Sequence, residues 1–141
     1  MSAIRTDLDP NTYIGLSFPL RRNNNRDFAM TKNSLEQSQH NLKNLLLTYP
    51  GERVGQPEFG CKLRELVFEH IDEEELPVRI EDEIKDSVSK WLPYINIISV
   101  ETLTQDDDKS KIYVKIKYST SINPETENEI ELDTSYTATR Y

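Results

Sequence analysis

The polar and apolar positions of this chain run from a period of two to helical spacing and back to a period of two. Ile14, Leu16, Phe18 and Leu20 alternate with Gly15, Ser17 and Pro19. That alternation predicts a strand, and Pro19, which has no N–H to donate, puts it at an edge or an interruption. A polar stretch from Arg21 to Asp27, containing Asn23, Asn24 and Asn25, lets Phe28 to Met30 return as a short partner, so a hairpin is predicted. Asn33 and Ser34 each stand three residues ahead of a Glu or Gln, namely Glu36 and Gln37, which is the spacing of a helix cap. The helix they open carries Leu35, Leu42, Leu45 and Leu46 on one side and Gln37, Gln39, His40, Asn41 and Asn44 on an exposed side. Pro50-Gly51 stops it.

A connector dense in Pro and Gly follows, over residues 48–60. Leu63, Leu66 and Val67 then predict a short helix at 62–69. Asp72 is a candidate cap, but Pro77 fits a first helical turn, so the next regular helix should begin near Leu76. Leu76, Ile80, Ile84, Val88, Trp91 and Leu92 form its apolar stripe, and Pro93 ends it. Tyr94 to Thr104 is β-branched and apolar on both faces, as a central strand would be. Asp106-Asp107-Asp108-Lys109-Ser110 predicts a turn, and Asn123-Pro124 a second loop. Ile112, Val114, Ile116 and Tyr118 alternate on the strand between them, and Ile130, Leu132, Thr134 and Tyr136 on the last. Lys115 and Lys117 facing Glu129 and Glu131 would suit antiparallel neighbours. The expected fold is α+β: an N-terminal β-hairpin and three helices, one short, packed on a C-terminal three-stranded antiparallel sheet. Residues 1–13, polar and unpatterned, are expected to be a flexible N-terminal arm, and 14–141 a single domain.

Composition narrows the chemistry. The chain has 141 residues, 35% of them apolar, and a net charge of −8 from 25 acids and 17 bases. An acidic chain makes a poor phosphate binder, so nucleic acid is not an expected partner. No run approaches a membrane span, and none reads as a signal peptide, so a soluble protein made in a reducing cytosol is expected. A lone cysteine, Cys61, excludes an internal disulfide, and with only His40 and His70 beside it no metal site is expected. Cys61 precedes a short helix that could lower its pKa, but an inert packing role is favoured.

The connector carries the most specific signal. Thr48-Tyr49-Pro50-Gly51-Glu52-Arg53-Val54-Gly55-Gln56-Pro57-Glu58-Phe59-Gly60 resembles the signature of the baseplate wedge proteins of contractile phages, which have relatives in type VI secretion baseplates. In that family a T-x-x-G-E-R stretch ends a helix, and a P-x-F-G turn and a short helix ending in an aromatic follow, here Leu66-Val67-Phe68-Glu69. Gly15-Leu16-Ser17-Phe18-Pro19-Leu20 matches the family's opening strand, so the resemblance spans roughly residues 14–137. Many members carry Glu-Pro-Arg at the end of the long helix and dock there on neighbouring chains. Leu92-Pro93-Tyr94 stands at that place, keeping the proline and losing both charges.

The resemblance implies a structural subunit of the baseplate inner ring in the virion, assembled in the host cytoplasm. It also implies the partners: other wedge proteins through their helical core bundle, the tail sheath protein and tube-initiator proteins. The residues expected to meet partners are Glu52, Arg53 and Phe59 in the signature loop, Leu92, Pro93 and Tyr94 at the helix end, and Ile130, Leu132, Thr134 and Tyr136 on the last strand. For Glu52 and Arg53, whose fork suits backbone carbonyls or a carboxylate, holding the loop to its own domain is an equal alternative. Relatives have been labelled lysozyme-like, so a weak peptidoglycan hydrolase is the rival reading, and an equivalent subunit of a type VI secretion or tailocin baseplate a second. Glycoside hydrolysis needs two positioned carboxylates in a cleft. The acids Glu52, Glu58, Glu65, Glu69 and Asp72 to Glu75 are scattered over helix faces and loops, so no enzyme, no catalytic residue and no cofactor is expected.

Overall fold

The computed structural model describes Asp7 and residues 9–68, 74–105 and 108–133, with backbone only at 104, 105 and 108–111. The elements with bounds among the described residues make two sheets and three helices: β1 (Gly15–Leu16), β2 (Met30–Thr31), α1 (Ser34–Leu47), α2 (Leu63–Phe68), α3 (Leu76–Trp91), β3 (Ile95–Gln105), β4 (Asp108–Thr120) and β5 (Asn123–Asp133). β1 pairs antiparallel with β2, and the C-terminal strands form an antiparallel meander in the order β3-β4-β5. This is the expected α+β architecture. His70, Asp72, Asp106, Asp107, Thr134 and Tyr136 lie outside the described residues.

One face of the meander is buried by the helices. Val114, Ile116 and Tyr118 of β4 and Ile130 and Leu132 of β5 meet Leu42, Leu45 and Leu46 of α1 and Ile80, Ile84 and Val88 of α3 in one apolar core. Asn33 caps α1, its side chain accepting from the Glu36 N–H at 2.7 Å. α3 starts at Leu76 with Pro77 in its first turn, where a missing N–H leaves no donor unsatisfied. On the outer face, Lys115 is paired in register with Glu131 and reaches diagonally to Glu129, Nζ to Oε1 at 3.0 Å. A cross-strand charge pair of this kind contributes roughly 0.2–1 kcal/mol.

The sheet departs from expectation in three places. β3 is an edge strand and β4 the central one, because both connections are short and each strand pairs with its successor. The run that reads as apolar on both faces contains a register shift between Ile97 and Ser99. A bulge exchanges the faces: Ile95 and Ile97 pack inward before it, Val100 after it, and Ile98 is left in solvent. Asn123-Pro124 opens β5 and is not a loop; the turn is Ser121-Ile122, and an edge strand tolerates proline near its start. Leu35, expected on the apolar side of α1, is exposed.

The hairpin also differs from its alternating pattern. Only Gly15–Leu16 and Met30–Thr31 pair as strands, with an isolated bridge from Arg22 to Phe28 and a cis peptide before Pro19. Where the stretch expected to be a flexible arm is described, it makes contacts. Asp7 Oδ1 accepts from the Ser34 N–H and hydroxyl, both at 2.8 Å, and Lys32 Nζ donates to the Pro10 carbonyl at 2.8 Å.

Candidate assembly surfaces

The signature loop is held by its own backbone. Gly51, at φ +99°, donates to the Pro57 carbonyl at 2.7 Å, and the Cys61 N–H returns to the Thr48 carbonyl at 2.9 Å. Glu52 turns back on the loop, its Oε2 accepting from the Tyr49 N–H at 3.0 Å. Phe59 is buried and meets Trp91 edge-on, with ring centroids 5.2 Å apart. Among the described residues Arg53 engages neither a set of carbonyls nor a carboxylate. Its guanidinium lies 4.2 Å from the centroid of the Phe59 ring and donates only a long bond, 3.4 Å, to Gln56 Oε1. Lys90 sits 5.1 Å from the Trp91 ring and 3.5 Å from Glu58. The loop and the end of α3 thus each present a cation stacked on an aromatic, Arg53 on Phe59 and Lys90 on Trp91.

Because Arg53 is exposed, its cation–π contact is worth about 0.5–1 kcal/mol. Arg53→Ala is expected to lower unfolding free energy by about 1 kcal/mol or less and to leave a soluble, folded protein. Urea unfolding checks this; a loss of several kcal/mol would mean that Arg53 bears on the fold well beyond its ring contact.

At the helix end, Leu92 belongs to the core, Pro93 is exposed and Tyr94 is half-buried. The Tyr94 hydroxyl accepts from Asn41 Nδ2 at 2.9 Å, and Asn41 Oδ1 accepts from Gln37 Nε2 at 2.7 Å. Gln37 Oε1 accepts in turn from the Thr31 hydroxyl of β2. Gln37 and Asn41, two of the four amides that read as the exposed face of α1, are therefore an inward polar chain joining the hairpin, the helix and the residue before β3. His40 has a similar part: its Nδ1 accepts from the Phe18 N–H at 3.1 Å. Amides suit positions 37 and 41 because each is satisfied there without burying a charge. Their spacing, at 37, 40 and 41, marks one helical side, but sequence alone does not say that a hairpin covers it.

On β5 the side chains of Ile130 and Leu132 point into the core, so a partner at this strand would meet backbone and the outward acids. Beside it lies a feature that no sequence pattern announced. A groove of about 780 Å³ runs between the hairpin, the end of α1, the signature loop and the last residues of β5, lined by Phe18, Pro19, Leu47, Tyr49, Leu132 and Arg64 among others. Cys61 reaches this groove yet is buried; burial pushes its thiol up to about 11, against weaker opposing hydrogen bonds from Ser87 and Leu63. The helix-lowered thiol does not arise, and Cys61 is a packing residue. Among the described residues no group of acids, histidines or cysteines could hold a metal ion, and no helix is long and apolar enough to cross a membrane.

The segment from the cap of α1 to the start of β5, residues 33–125, matches the family model of the baseplate wedge protein gp25. The chain belongs to that family. It is 26% identical over 132 residues to the baseplate wedge protein gp25 of Enterobacteria phage T4, a match covering 94% of this chain and 92% of the phage protein. The gp25-family fold recurs in a cryo-EM structure of the anti-feeding prophage baseplate, at 24% identity and a TM-score of 0.66, covering 75% of this chain and 83% of that one. It recurs too in the crystal structure of a candidate tail lysozyme from Geobacter sulfurreducens, at 29% identity and a TM-score of 0.62, covering 74% of this chain and 94% of that one. The matched gp25 span takes in the whole signature loop and Leu92-Pro93-Tyr94.

Proposed function

We propose that this chain is a structural subunit of the inner ring of a contractile-tail baseplate, in a phage tail or tailocin particle assembled in the host cytoplasm. It binds the helical core bundle of the other wedge proteins and templates the first layer of tail sheath by strand pairing. Tube-initiator proteins are further neighbours in this reading. The observation that carries it is β5: a long strand with a packed inner face, last in the order β3-β4-β5, so that its far side has no partner strand among the described residues. A free edge offers main-chain N–H and C=O groups in a row, the usual means by which one chain adds a strand to another. The groove beside β5 gives the added segment an apolar wall to lie against. The stacked cations Arg53 and Lys90, together with exposed Pro93 after α3, are the surface for the core bundle. Leu92 is too deeply packed to join it, and Tyr94 is half-committed to Asn41.

Peptidoglycan hydrolysis gains no support from the carboxylates. Glu52 is taken by the Tyr49 N–H, Glu65 by the Tyr49 hydroxyl at 3.0 Å, and Glu83 by the Lys62 N–H at 2.9 Å and the Ser87 hydroxyl at 3.3 Å. These are structural bonds.

Proline at Glu131 or Asp133 tests the edge. Both positions alternate with the core-facing residues, so no apolar side chain is lost, while the ladder is spoiled. Particles carrying either variant are expected to keep the subunit in the baseplate but to bear shortened or missing sheath by electron microscopy. Solubility and helix content of the variants are checked first. Full-length sheath on such particles would remove β5 from the mechanism.

A further inference from the structure

The hairpin presents a surface that the fold does not use. Its inner face is closed: Thr31 is fully buried, and a side chain at its partner Gly15 would run into Gln37 of α1. Its outer face is bare. Leu16 and Met30 are directly paired across the two strands and are 46% and 45% exposed, while Phe28 is 55% and Leu20 61% exposed. An isolated two-stranded hairpin is marginal in water and gains stability from a third strand or a helix laid on it. One helix, α1, already covers one side.

Charge says what should cover the other. Between Ile14 and Lys32 the chain carries Arg21, Arg22, Arg26 and Lys32 against the single acid Asp27, in a protein whose net charge is −8. Among the described residues, none of the three arginine side chains has an ion-pair or hydrogen-bond partner. They stand on a built tip: Asn23 Oδ1 accepts from the Asn25 N–H at 2.9 Å and the Asp27 N–H at 3.0 Å, and the Arg26 N–H bonds the Asn23 carbonyl at 3.1 Å. Arg26 is held at φ +68°, a conformation that glycine or asparagine adopts more readily. The fold tolerates a long cation there, and no described residue is paired with its charge. The hairpin lies before residues 33–125, the span that the family model matches.

We infer that the outer face of the hairpin is a docking site for an acidic amphipathic helix of a partner protein, its apolar stripe on Leu16, Phe28 and Met30 and its acids on Arg21, Arg22 and Arg26. Nucleic acid fits less well: Phe28 is the one ring among the four apolar residues Leu16, Leu20, Phe28 and Met30, too few for a run of stacked bases, and the acidic remainder of the chain repels phosphate. An anionic membrane is disfavoured by the same acidic remainder. The baseplate setting comes from the preceding reading, whereas the chemistry of the face stands without it.

Two measurements test this. A synthetic helical peptide with a leucine stripe flanked by glutamates is added to the purified full-length protein and followed by amide NMR. Shifts are expected at Leu16, Arg22, Phe28 and Met30, and the R21E/R22E/R26E variant should weaken binding at least tenfold while a lysine-flanked peptide gains on that variant. Shifts centred elsewhere, no shifts, or equal binding by the variant would overturn the inference whether or not the subunit is found in baseplates. In assembled particles, a photo-crosslinking amino acid in place of Phe28 should attach to a partner peptide with acids flanking apolar residues at helical spacing. Attachment to nucleic acid, lipid or a basic segment would overturn it. A subunit missing from the particles would count against the baseplate reading alone.

Discussion

Gly60→Ala is expected to cost about 3 kcal/mol of stability, more than the same change at Gly51 and far more than at Gly55. Gly60 sits at φ +137°, and a Cβ built on it would collide with the Thr48 carbonyl oxygen and lie 2.9 Å from the Pro50 nitrogen. Those are backbone atoms of the chain that leaves α1, and they are tied to the loop by the Cys61 N–H bond to Thr48 at 2.9 Å. Relief would require moving the end of α1 away from the P-x-F-G turn, which would also draw Phe59 off Trp91. Strained backbone and forced contacts of this kind cost about 1–3 kcal/mol each. Gly51 also has a positive φ, +99°, but open space around its Cβ position, so Gly51→Ala should cost only the conformational part, about 1–2 kcal/mol. Gly55 has open space and no such φ, and Gly55→Ala should be near neutral. Urea midpoints of the three variants check the order. Equal losses at Gly60 and Gly51 would show that the close approach to Thr48 is not what the glycine is for.

Helix starts and stops were legible in the sequence because they rest on local chemistry: Asn33 ahead of Glu36, Pro77 in a first turn, Pro93 after Leu92. The core positions of β4 and β5 were legible because strict alternation survives when a strand has one wet face. β3 was misread because a bulge at Ile98 interrupts the alternation, and a bulged edge strand then has the same composition as a buried central one. Gln37, His40 and Asn41 read as surface because amides and histidine are polar; their partners, Phe18 and Tyr94, are remote in sequence. In the signature loop the residues were found but their geometry was not. Arg53 could have bonded carbonyls, a carboxylate or a ring, and only the packing of Phe59 against Trp91 decides for the ring. The groove depends on four separate segments meeting, and no local pattern contains it.

Raising the pH should weaken the fold through Cys61. Burial lifts the thiol from its ordinary 9.0 to about 11, with the hydroxyl of Ser87 and the Leu63 N–H pulling weakly the other way and Glu83 adding to the rise. The folded protein therefore holds this proton more tightly than the unfolded chain does. A group whose folded pKa lies above its unfolded value contributes its full stabilisation below the unfolded pKa. The contribution falls as pH rises from about 9 and is gone once the folded pKa is passed. A separation of two units corresponds to roughly 2.7 kcal/mol in total, of which about 2 should be lost between about pH 8 and about pH 10.5. Tyr118, also raised by burial, contributes in the same direction, so the thiol is isolated by comparison with Cys61→Ala. That variant leaves a small cavity whose cost does not change with pH. The measurement is urea unfolding of both proteins at the two pH values under reducing conditions. Wild type should lose about 2 kcal/mol more than Cys61→Ala over the interval, and at about pH 8 its thiol should react with a disulfide reagent only as fast as the protein opens. Parallel pH dependences, or rapid labelling of the folded protein, would show that Cys61 is reached by solvent through the groove it lines.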